Sequence, residues 1–128
     1  MPAPQPPAWL EALPELPLER GCPVVHSSGL WTATAWQESD LPGCWVILAE
    51  RGGLEEWHPR HLRLDLAAPL GMAHALRLVA QRFDATGSDS EVVTEVCSPE
   101  FFIRHLLGET TDADRLAVAR ALREVASE

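Results

Sequence analysis

The sequence predicts an α+β fold. A small, mostly antiparallel sheet of three to four strands from the first half packs against helices from the second half, with an extended Pro-rich N-terminal arm. Three observations carry this expectation. All five tryptophans, Trp9, Trp31, Trp36, Trp45 and Trp57, lie in the first half, most of them in or beside short alternating or continuously apolar runs. The second half has no tryptophan and repeats its apolar residues at helical spacing, with Pro, Ser or Thr start signals and Gly stop signals. Strands followed by helices, rather than alternating with them, point to the α+β class.

The arm comes first. Residues 1–18 hold six prolines, which rule out a long helix or a central strand. One helical turn fits Ala8 to Leu13, with Pro7 placed to start it. Trp9, Leu10, Leu13, Leu16 and Leu18 are too apolar for a free tail. The plain reading is an arm packed along its own domain, residues 19–128; the sharper one is an arm docked on a second subunit or a partner.

Strands follow. Pro23 to His26 is a short strand and Ser27-Ser28-Gly29 a turn. Residues 30–36 alternate, with Trp31, Ala33 and Ala35 on one face and Thr32, Thr34 and Trp36 on the other. Residues 37–43, with Asp40 and Pro42, mark a hairpin loop. The continuous apolar run 44–50 reads as a central strand buried on both faces, ended by Arg51-Gly52-Gly53. Residues 61–66 alternate again, Leu62, Leu64 and Leu66 facing one way.

Helices make up the rest. Pro69 suits a first helical position, and Met72, Ala73, Leu76, Val79, Ala80 and Phe83 form one stripe that should stop before Thr86-Gly87-Ser88. Residues 92–97 are β-branched and read as a further strand, with a short helix the close rival. Ser98-Pro99-Glu100 is a strong helix start, with Gly108 its stop. Thr111 opens the last helix, Asp114 standing where a capping-box glutamate would.

Composition limits the function classes. The net charge is -9, which opposes wrapping a nucleic acid or lying on an anionic membrane. No apolar run approaches the roughly 20 residues of a spanning helix, and no signal peptide is visible, so a cytoplasmic location is expected. The front and back are acidic, while Arg51, Arg60, Arg63, Arg77 and Arg82 cluster in the middle. Cys22, Cys44 and Cys97 are odd in number and widely spaced, so no complete disulfide framework and no zinc knuckle are expected.

The richest patch for chemistry is 55–63, with Trp57, His58, Arg60, His61 and Arg63 beside Glu55 and Glu56. A metal would need His58 and His61 to converge with Glu56, and Pro59 breaks the helical zincin spacing. An anion site is better motivated: Arg60 and Arg63 offer forked donors and Trp57 a stacking face. The plainer alternative is a solvated strand face with Trp57 plugging the sheet edge. Cys97, just before a helix start, could be a nucleophile with His74 or His105 as base; a packed thiol is the plainer account. His74, off its helix's apolar stripe, reads as surface, and His105 as cover for the Phe101 ring. Walker, dinucleotide-binding, nucleophile-elbow and EF-hand motifs are absent.

The resulting expectation is a non-enzymatic, small acidic protein-interaction or accessory protein without a cofactor. One variant is an inhibitor that mimics nucleic acid. Expected interface residues are Trp9, Leu10, Leu13, Trp31 and Trp36, with a protein partner or a homodimer as the assembly. The alternative is a small-molecule or anion-binding, even catalytic, protein with its site at 57–63.

Overall fold

A computed structural model describes residues 7–13, 18–26, 31–41, 44–49 and 52–126. The turn expected at 27–29, Leu30, Leu16, most of the arm's prolines, and the loop residues Pro42, Gly43, Glu50 and Arg51 lie outside them. The order is α1 (Ala8–Ala12), β1 (Pro23–His26), β2 (Thr32–Glu38), β3 (Trp45–Ala49), β4 (Leu54–Trp57), a 3-10 turn (Pro59–His61), β5 (Leu62–Leu64), α2 (Pro69–Thr86), α3 (Glu91–Val96), α4 (Pro99–Leu106) and α5 (Asp112–Ala126).

The strands form one antiparallel sheet in the order β4-β3-β2-β1-β5, one strand more than the sequence predicts. The added strand is β4, where charged Glu55 and Glu56 hide a short exposed edge. Residues 44–49, the described part of the run 44–50, are not buried on both faces. β3 lies next to the edge, and only Ile47 within it is fully enclosed. The doubly covered strand is β1, where Val24 and Val25 are both buried. It sits between β2 and β5 with α2 packed across it. A bulge between Ala35 and Gln37 holds Trp36 outward and extends β2 through the residues expected to begin a loop.

The outermost strands β4 and β5 are joined by only residues 58–61, so the sheet has to curl until its two edges approach. That curl brings His26, Trp31, Trp57 and His61 together at one end.

On the helical side the local signals hold. α2 starts at Pro69 and closes with Gly87 in the left-handed region (φ 65°), whose N–H donates to the Phe83 carbonyl. Gly71 lies against the loop leaving β5, and a methyl group there would overlap the Asp65 carbonyl oxygen. Residues 92–97 resolve as helix: α3 runs over Glu91–Val96 and buries Val93 and Val96, because packing against α5 rewards its i, i+3 pair over β propensity. Ser98 caps α4, its Oγ accepting the Phe101 N–H at 3.2 Å. Thr111 and Asp114 form a reciprocal cap, Thr111 N–H to Asp114 Oδ2 at 2.9 Å and Asp114 N–H to Thr111 Oγ1 at 3.3 Å.

α5 is the central post. α1, α2 and α3 all pack on it, and Val118, Ala119, Ala121 and Leu122 are enclosed. Arg115 donates from Nε to the Leu66 carbonyl at 3.2 Å, tying α5 to the segment between β5 and α2.

Candidate interaction surface

The residues singled out in the sequence fall into three places. Trp9, Leu10 and Leu13 are buried by their own chain, where α1 packs against α5. Trp36 is exposed at the bulge with the Arg20 guanidinium 4.6 Å above its ring. Trp31 and Trp57 join a ring cluster. The His26 and Trp31 rings stack at 4.6 Å, Trp31 and Trp57 meet edge-on at 4.9 Å, and Trp57 lies 6.1 Å from His61.

The polar groups of 57–63 serve their own turn. His58 Nδ1 accepts the Arg60 N–H at 3.1 Å, Arg60 Nε donates to His61 Nε2 at 3.3 Å, and Arg63 Nη1 donates to the Arg60 and Leu62 carbonyls at 3.1 and 2.7 Å. Trp57 Nε1 donates to Glu55 Oε2 at 3.2 Å. The arginine groups so engaged stabilise the turn between β4 and β5. His26, packed in the rings beside His61, is held below the ordinary histidine value by burial and then by that neighbouring imidazole. Among the described residues no group of three His, Cys, Asp or Glu side chains is placed to hold a metal.

Two cysteines are placed unlike nucleophiles. Burial pushes the Cys22 thiol up to about 11. Cys97 is also raised, by partial burial and by the Asp84 carboxylate. A reactive cysteine needs the opposite shift. His74, expected at the surface, is buried on α2, with its Nδ1 facing Glu19 Oε2 at 3.6 Å and Arg77 Nη2 at 3.3 Å. The Arg104 guanidinium lies 5.1 Å above the Phe101 ring.

The surface that stands out is α4. Its sequence, PEFFIRHL, places Phe101 inward and fully buried. At about 100° per residue, Phe102, Ile103, Leu106 and the capping Leu107 fan out on the side roughly opposite Phe101. They are 52%, 54%, 69% and 66% exposed. Beside them runs an open groove of about 520 Å3 walled by Ala73, Leu76, Arg77 and Ala80 of α2 and by Val96, Phe102 and Ile103. The groove is therefore continuous with the exposed fan.

Two contacts hold α4 against the body. Phe101 anchors it in the core, and Arg104 Nη1 grips the buried Asp114 at 2.9 and 3.1 Å. The same carboxylate caps α5, so one side chain fixes both helices.

Comparison of the chain with protein-family models, curated proteins and solved structures gives no match. The geometry alone therefore carries the functional argument. The sequence did contain a sign of the α4 surface. Five apolar residues among 101–107 are spread too widely round a short helix for one buried stripe to absorb.

Proposed function

We propose that this chain is a non-enzymatic protein-interaction or accessory protein whose docking surface is the groove between α2 and α4. The observation that carries the reading is the set of four large apolar side chains exposed together on one side of α4, next to an apolar groove. Single exposed leucines are ordinary, but a contiguous patch of this kind marks an interaction surface. The elevated thiols of Cys22 and Cys97 and the internally engaged arginines of 57–63 support it from the other side.

The test is selection of a displayed library of helical peptides against the full chain, with binding sites mapped by amide chemical-shift perturbation. The expected result is perturbation centred on α4 and the 73–80 stretch of α2. Binding should be lost in the double variant Ile103→Ser/Leu106→Ser, whose melting temperature should match the parent because both side chains are exposed. Perturbation centred on 57–63, unaffected by that variant, would overturn the reading in favour of a site at Trp57 and Arg63.

A further inference from the structure

We infer that the occupant of the α2–α4 groove is a cationic amphipathic helix supplied by a protein partner, its basic residues seated at the end of the groove where α2 passes Cys97. This rests on the docking reading above and specifies the chemistry of the partner.

The helical form follows from the shape of the surface. The groove is walled by helices, and the exposed anchors recur at Phe102/Ile103 and Leu106/Leu107, one helical turn apart. An opposing helix with apolar residues at i, i+3 or i+4, and i+7 presents the matching ridge.

The charge follows from the acids beside the groove. Arg77, the charged residue in its lining, already faces the Glu19 carboxylate at 3.6 Å, and Arg104 of α4 is held by Asp114 at 2.9 Å. Asp84 continues the groove-facing row of α2, four residues after Ala80, and lies near enough to Cys97 to act on its thiol. Glu100 is exposed in the first turn of α4, next to the groove-lining Pro99. Asp84, through its reach to Cys97, and Glu100, next in sequence to Pro99, both adjoin the Cys97–Pro99 part of the lining. A basic flank there gains from both, and the fixed end gives the bound helix a direction.

The same charges argue against a second copy. Each chain carries -9, and pairing α4 with α4 would bring Asp84 and Glu100 of one copy toward those of the other.

The test uses the full chain and three peptides of about 15 residues, long enough to be helical. One has leucine at helical spacing with lysine elsewhere, a twin has glutamate in place of lysine, and a third is a scramble of the leucine/lysine composition. The readouts are fluorescence anisotropy and the rate of Cys97 alkylation in a Cys44→Ser background. The leucine/lysine peptide should bind and protect Cys97, and the scramble and the glutamate twin should not. Ile103→Ser/Leu106→Ser should weaken binding at least about tenfold, and Asp84→Asn/Glu100→Gln about threefold to tenfold, the latter loss shrinking as salt is raised.

Equal binding of the glutamate twin, still sensitive to Ile103 and Leu106, would overturn the cationic class and leave the docking reading standing. No peptide sensitive to Ile103 and Leu106 would remove both. A dimer by sedimentation equilibrium that becomes a monomer in Ile103→Ser/Leu106→Ser would make the second copy the occupant and overturn the inference.

Discussion

Two short apolar helices meet opposite fates in this chain. α1 carries Trp9 and Leu10, with Leu13 at its end, and buries all three against α5. α4 carries Phe101, Phe102, Ile103 and Leu106 and buries only the first. By composition alone α1 looks the stickier, with an indole and proline-rich flanks. The difference is geometric. The apolar residues of α1 and its C-terminal flank are spaced so that one neighbour, α5, covers them, whereas those of α4 spread over two sides and the core lies on one. Apolar content says that surface has to be covered; its distribution round the helix says whether the chain covers it itself.

The largest effect that tests this contrast comes from two adjacent phenylalanines. Phe101→Ala should cost about 3–5 kcal/mol in urea denaturation, as a ring lost from the core, while Phe102→Ala should stay within about 0.5 kcal/mol. Equal losses would mean that α4 has no free face. Next, Leu10→Ala should cost about 2–4 kcal/mol by the same measurement. A neutral result would show α1 detached from α5 in solution, returning Trp9, Leu10 and Leu13 to the interface expected of them. Ser98→Ala removes the cap that orients α4 and should cost about 1 kcal/mol, with Ser98→Gly costing less.

Thiol chemistry sharpens the contrast without mutation. Cys97 lines the groove and is exposed, whereas Cys22 is buried with its thiol raised to about 11. At mildly alkaline pH, mass spectrometry should find Cys97 alkylated before Cys22, and Cys22 only on unfolding. The smallest effect belongs to the ring cluster, which serves as a control. His26 titrates below its ordinary 6.5 in the folded state. The unfolded chain therefore binds that proton first, so this contribution is complete above pH 6.5 and declines as the pH falls through the folded value. His26→Gln should flatten that part of the stability profile and leave peptide binding at α4 unchanged.

Much of the fold was legible because local chemistry and tertiary packing agree in it. Pro69, Gly87, Ser98, Gly108 and the Thr111–Asp114 pair mark helix ends in the sequence and in the structure alike. β4 was not legible, because a four-residue edge strand reading Leu-Glu-Glu-Trp has the composition of a loop. Residues 92–97 were ambiguous because β-branched propensity and burial on one helical side compete there, and contact with α5 decides. The depth of the 44–50 run was misread because an apolar run states how much could be buried, while strand order determines how much is.

The interaction surface was hidden for a different reason. Trp31 and Trp57 drew attention as indoles, yet they find each other and His26 across the curled sheet, a meeting no local spacing announces. The fan on α4 was written in the order of residues 101–107, but reading it required knowing which of those side chains the core would take.

The double role of Asp114 has a kinetic consequence. α4 is held to the body through the Phe101 ring and the Arg104–Asp114 bridge, with much of its remaining side-chain surface toward water. Such a helix is a candidate cooperative opening unit, able to exchange its amide hydrogens by detaching while the α5 post stays folded. A bound partner closes that route. Its affinity would appear as slowed deuterium uptake across Pro99–Leu106, with protection rising as the logarithm of partner concentration while α5 stays at its own slow rate.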